Sequence, residues 1–270
     1  MIRRHIVLAF LAHEMKDLRT NSRVLPVMLV FPVLGILFPV LITLFGHALV
    51  QEAARDPTMR AIMMQALALP EYQGMELEEA LVRYSLRPVI GFFLLMPVAI
   101  ASTAAAFSIV GEKQQRTLEP ILATPISDRE FLMGKFLVCL VPTVVVTWGA
   151  AVVAVVLVDA ISRSSYGEFF LPDRFWVAGI GLLAPLVAAA ITLLTMRLSA
   201  RSVDPQSTVQ TSALAILPGF LLVFGVFGRV LLRSFPAVLV AVVLAVLLNL
   251  WLFRTVERSF RREEILTRWK

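Results

Sequence analysis

Six stretches of this chain carry no Asp, Glu, Lys or Arg, and every charged side chain falls outside them: 24–46, 88–110, 136–158, 175–196, 205–228 and 234–253. Each is close to the roughly 20 apolar residues an α-helix needs to cross a hydrocarbon core about 30 Å thick. A charge at the centre of such a helix costs about 2.5–3.5 kcal/mol, which acts on each residue separately and keeps the windows clean. Apolar runs this long argue against a soluble all-α fold. The expected fold class is an all-α membrane protein with six transmembrane helices in a single domain, 1–270.

The net charge of +6 would raise the question of nucleic acid in a soluble chain. Here the basic residues flank spans, where anionic lipid headgroups meet them, so membrane lipids and not nucleic acid are the expected partner. With both termini inside, the inner segments hold 17 Lys and Arg and the outer ones 8, and the positive-inside rule selects that orientation. The one cysteine, Cys139, lies in the third window, so neither an intrachain disulfide nor a cysteine metal cluster is expected. Arg3-Arg4 and the short apolar run after them lead into His13-Glu14 without a small-residue cleavage site, so the N terminus is expected to stay in the mature protein.

Prolines recur inside the windows (Pro26, Pro32, Pro39, Pro97, Pro142, Pro185, Pro218, Pro236), and each frees a backbone carbonyl. Asp, Glu, Lys, Arg and His do not: the three histidines, His5, His13 and His47, lie at or beyond span ends. A carrier driven by an ion gradient keeps a charge near the midplane, so energy for transport would have to come from elsewhere. It does not come from this chain, because Gly134-Lys135 is followed by Phe136 and the phosphate-binding loop GxxxxGK[ST] is missing. Neither an HExxH nor a GxSxG motif occurs, so no catalytic, cofactor or metal residue is nominated. Acid pairs such as Glu78-Glu79 and Glu263-Glu264 read as solvated helix faces.

Three polar segments have their own organisation. Residues 111–135 read GEKQQRTLEPILATPISDREFLMGK: the second helix continues outward, Pro120 and Pro125 isolate a short element, and Ser127-Asp128-Arg129-Glu130 forms a capping box that starts the third helix. The expectation is a firmly held cytoplasmic knob, or simply a connector. Ahead of the first span, Leu8, Leu11, Met15 and Leu18 line one face of an interfacial helix. In the long outer loop, 47–87, Met59, Ile62, Met63, Ala66 and Leu67 make one stripe and Leu77, Leu81 and Tyr84 another. They flank a turn at 70–74, which predicts two short helices packed on each other or on the bundle, as a structural cap or else a lid or partner site.

The residues Glu112-Lys113, Arg116-Thr117-Leu118-Glu119, Leu122, Thr124-Pro125-Ile126-Ser127, Glu130 and Gly134-Lys135 together resemble the hallmark of ABC-2 type permeases, the membrane subunits of a class of ABC exporters. The likeness is densest to the sodium-efflux and drug-efflux branch. It extends over most of the chain, from the segment before the first span to the basic end at Phe260-Arg261-Arg262. Pro120 departs from that branch. The resemblance implies a half-transporter that pairs with a second permease copy or paralogue and binds a separate ABC ATPase subunit, which would carry the ATP and Mg. The knob between spans two and three would then be the coupling helix, with Glu112, Arg116, Thr117, Glu119, Pro125 and Lys135 as its contact residues. Arg201 and Gln206 in the second inner loop would add to them. The expected location is a bacterial or archaeal plasma membrane.

All three tyrosines (Tyr72, Tyr84, Tyr166) lie in outer loops, and the spans offer Phe, aliphatic side chains and a few hydroxyls such as Ser102, Thr103 and Thr147. That lining suits a lipophilic drug or lipid, or sodium held by hydroxyls and freed carbonyls, better than a sugar chain. Two further readings stay open from the residues alone: a secondary carrier or channel working without ATP, and a non-transporting scaffold that recruits a cytosolic partner.

Overall fold

The computed structural model describes residues 24–53, 55–58, 61, 64, 68–115, 128–199, 204–211 and 234–259, and among these it is helical with no strand. The elements are α1 (Val24–Leu44), α2 (Gly46–Ala53), α3 (Leu77–Leu86), α4 (Val89–Gln115), α5 (Asp128–Tyr166), α6 (Arg174–Ser199), α7 (205–211) and α8 (Phe235–Ser259). Five helices among the described residues are long and apolar enough to cross a membrane. Of the fifth window, 205–211 is helical and 212–228 lies outside the described residues. The interfacial helix and the knob residues 116–127 also lie outside them.

The end of the bundle that bears Gln115 and Asp128 is called proximal below, and the end that bears Arg87 and Asp173 distal. The second span, α4, is the centre of the bundle and packs against α1, α5 and α6. In its most apolar stretch 78% of residues are buried, against 11% for α8, so α8 lies at the periphery. Along one side of α1 run exposed Leu29, Val33 and Leu37, and along α8 exposed Val240, Val243 and Leu247, the surface a helix shows to acyl chains. A distal core gathers Phe93, Met96, Ile100, Ala154, Phe175 and Trp176. A proximal core gathers Ala105, Ile109, Leu132, Cys139, Leu193 and Met196.

Helix α5 runs for 39 residues, well beyond the charge-free window 136–158. At 1.5 Å per residue that is roughly 58 Å, about twice the hydrocarbon thickness. It continues past the window because its polar residues find partners. Asp159 accepts hydrogen bonds from the backbone N–H groups of Phe170 and Leu171 at 3.0 and 2.9 Å, and Arg129 pairs with Glu257 of α8.

The distal loop corrects one expectation. Pro70–Tyr72 forms a single 3-10 turn, followed by Gly74 at φ +90, a conformation that favours glycine. In α3, however, the buried residues are Ala80, Leu81, Val82 and Leu86, while Leu77 is 51% exposed. The stripe is displaced because α3 packs on α2 and α1, and its inner face turns Val82 toward Gly46 at the start of α2. The stripe from Met59 to Leu67 lies outside the described residues.

Close approach of α6 to α4 depends on one glycine. A Cβ at Gly179 would meet Ile90 Cγ2 at 2.5 Å, whereas a Cβ at Gly181 meets nothing within 4 Å. Ile90 is β-branched and buried, so it cannot swing aside cheaply. Gly179→Ala is therefore expected to destabilise the protein by about 1–3 kcal/mol and Gly181→Ala to be neutral or stabilising. Thermal unfolding in detergent checks the pair, and equal midpoints would contradict this packing.

Candidate functional site

At the proximal end, α4 leaves the bundle as far as Gln115 and α5 re-enters it from Asp128, so the two helices that flank the knob are continuous with spans two and three. Lys135 lies between them. It is completely buried, and its Nζ donates to the carbonyl of Ser108 in α4 at 3.0 Å. Its ammonium also sits 5.9 Å from the Phe131 ring. Glu130, one turn before it, is buried as well. A buried ammonium is costly unless hydrogen-bonded, and here the bond joins the bases of α4 and α5.

The remaining nominated residues are placed as follows. Glu112 falls in the last turn of α4, and Gln206 is exposed on α7. Asp204 caps α7, accepting from the Ser207 N–H at 2.8 Å. Arg116, Thr117, Glu119, Pro125 and Arg201 lie outside the described residues. In the single chain Lys135 is an internal tie between α4 and α5. A pattern for that was visible, since Phe131, Leu132, Val138 and Cys139 stand three and four residues away on one helical face.

The distal end holds a network that the sequence reading did not anticipate. Arg87, at the α3–α4 junction, is 5% exposed, with its guanidinium 4.3 Å from the Phe175 ring centroid and 5.0 Å from that of Tyr72. It pairs with Glu71, which also receives Arg174, and its Nε lies 3.8 Å from Asp173. Arg83 bridges Glu79 at 2.9 Å and Glu168 at 2.6 Å, and the Tyr166 hydroxyl donates to Glu78 at 2.9 Å. Glu78 and Glu79 are thus not a solvated face but half-buried members of this network. Arg174 and Phe175 both reach Phe235 at the start of α8. Three connections that are far apart in the chain are thereby stitched together over the end of the bundle.

Burial leaves its mark on this network. It pushes the Tyr72 phenol up to about 12, against the opposing pull of Arg87. Burial likewise raises Asp173 above its ordinary value, although the Trp176 N–H and Arg87 favour its charge. Asp173 caps the start of α6, accepting from that N–H at 2.8 Å.

Within the spans, the hydroxyls of Ser102, Thr103 and Thr147 turn back on their own helices. Ser102 and Thr103 both donate to Ala99 O, at 3.2 and 2.8 Å, and Thr147 donates to Thr143 O at 2.8 Å.

A bundle of apolar spanning helices, tied by buried polar bonds at one end and an ionic cap at the other, defines an integral membrane protein. The chain belongs to the ABC-2 family transporter proteins, whose family model matches residues 49–249. It is accordingly the membrane component of an ABC transporter. No curated protein matches it by sequence.

Proposed function

We propose that this chain is the permease subunit of an ATP-driven exporter, working as a dimer with a second permease and taking its energy from a separate ATPase docked at the proximal end. The observation that carries the reading is the Lys135–Ser108 bond, which joins the helices on either side of the knob. A push on residues 116–127 would then be delivered to α4, the buried centre of the bundle. The chain's lack of a phosphate-binding loop puts ATP and Mg in the partner, and the lack of a midplane charge disfavours a gradient-driven carrier. The apolar lining suits a lipophilic drug or lipid, with sodium as the polar alternative.

The proximal end is cytoplasmic in this reading, as the 17 to 8 basic bias requires. In a Cys139→Ala background, impermeant thiol labelling of intact cells should reach Leu231→Cys and spare Gln114→Cys. The reverse pattern would invert the topology.

Docking is tested by charge reversal. Glu119→Lys and Arg116→Glu should weaken co-purification of the ATPase at least tenfold while membrane abundance stays near normal, through like-charge contacts across the interface. Glu76→Lys, an exposed distal change, is the control. Equal ATPase retention by all three would leave the knob a connector. Substrate flux from vesicles holding the permease alone would instead favour a carrier, and none under any energisation a scaffold.

A further inference from the structure

The fourth span is not a uniform α-helix. Val177–Leu183 forms a wide π-turn, closed by the Ala184 N–H donating to Gly179 O, five residues back. In this register the donor owed to Ile180 O is residue 185, which is Pro185 and has no N–H. The indole of Trp148 in α5 fills the gap: its Nε1–H donates to Ile180 O at 3.1 Å.

We propose that the wide turn Val177–Leu183 is a hinge in the fourth span and that the Trp148 indole N–H is the latch that holds it in this register. The two registers open to the turn orphan different carbonyls. In the wide register Pro185 leaves Ile180 O without a helical donor; in the ordinary α register Ala184 N–H would serve Ile180 O and Pro185 would orphan Gly181 O instead. Trp148 reaches Ile180 O, so it stabilises the wide register selectively. Within a bilayer no water replaces a missing donor, which makes this choice between registers sharp.

The surroundings fit a hinge. On the distal side α6 is fixed by the Asp173 cap, the Arg174–Glu71 pair and the packing of Phe175 under Arg87. On the proximal side Asn249 of α8 holds the next segment, its Nδ2 donating to Leu186 O at 3.0 Å and to Ala245 O at 2.8 Å. Both of those partners accept, so the amide nitrogen must face α6. Between the two anchored parts lie Gly179 and Gly181, whose lack of a Cβ lowers the cost of changing backbone register. Trp148 lies on the same helix, α5, as the proximal base at Asp128, with Pro142 between them.

Amide hydrogen exchange on the full chain in phospholipid nanodiscs tests the latch without any partner subunit. Trp148→Phe keeps the ring and removes the donor, and should speed exchange across 177–184 at least tenfold. In a Pro185→Ala background, where residue 185 again carries an N–H, the same substitution should have no effect beyond about twofold. Pro185→Ala alone should slow exchange there, a readout that survives even if Trp148→Phe folds poorly. Trp251→Phe, on the exposed face of α8, should change nothing at 177–184. The proposal is overturned if Trp148→Phe leaves exchange unchanged, if it accelerates exchange equally in both backgrounds, or if Pro185→Ala alone does not slow it.

Discussion

Arg87→Ala is expected to lower stability by about 3–5 kcal/mol, the usual cost of removing one partner from a buried ion pair. Arg87 is 5% exposed and packs on the Phe175 and Tyr72 rings, and its loss leaves Glu71 with Arg174 alone and Asp173 without its neighbouring cation. The comparison that makes the point is Arg55→Ala, which removes an equally well-formed pair with Glu52 at 2.9 Å, both side chains 75% exposed. That substitution should cost about 0–1 kcal/mol, because solvent screens the exposed charges and the pair gains little on forming. Thermal or denaturant unfolding of the detergent-solubilised protein measures both. A loss below 1 kcal/mol for Arg87→Ala would mean that the distal network is surface decoration. Glu71→Gln with Arg87→Met should restore part of the loss, since removing both charges leaves neither stranded.

Lys135→Glu is expected to be the most damaging single change at the proximal end. The lysine is completely buried and donates to Ser108 O, so a carboxylate there would set acceptor against acceptor among Ile109, Leu132 and Cys139. We expect a loss on the order of 3 kcal/mol or more and a fall in membrane abundance. Lys135→Met keeps length and apolar volume and loses the ammonium, with its bond to Ser108 O in α4 and its contact with the Phe131 ring. It should insert and remain folded, within about 1.5 kcal/mol of the parent, yet lose at least half of the ATPase stimulation in the assembled complex. Abundance on membranes, unfolding midpoints and stimulated hydrolysis separate these outcomes. If Lys135→Glu is tolerated, the internal tie between α4 and α5 is not structural; if Lys135→Met keeps full stimulation, that tie carries no motion.

How far the fold was legible follows from the range over which each force acts. The spans could be read because the cost of a charge in hydrocarbon applies to every residue on its own, and five windows match long apolar helices among the described residues. The ends of those helices could not be read in the same way. α5 extends past Lys135 and past Asp159 because those side chains meet Ser108 O, 27 residues away, and the amides of Phe170 and Leu171. The same limit applies to Glu78 and Glu79. The i,i+4 relation of Glu79 to Arg83 is written in the sequence, but Tyr166 lies 88 residues from Glu78, and only the packed fold makes it a neighbour. As for the proposed coupling residues, Glu112 and Lys135 were nominated through a family likeness that names positions without saying which of them face outward. Burial of Lys135 is a property of α4 and α5 packed together.

By itself, then, the sequence determined the class: helices, membrane and family, through local terms that need no partner. Tertiary structure alone decided where the polar groups go. Pro185 and the two glycines announce a weak point in the fourth span, but whether that point relaxes into an α-turn or a wide one depends on which carbonyl receives a donor. That donor is the indole of Trp148, 32 residues earlier on another helix, brought within 3.1 Å only when the bundle closes.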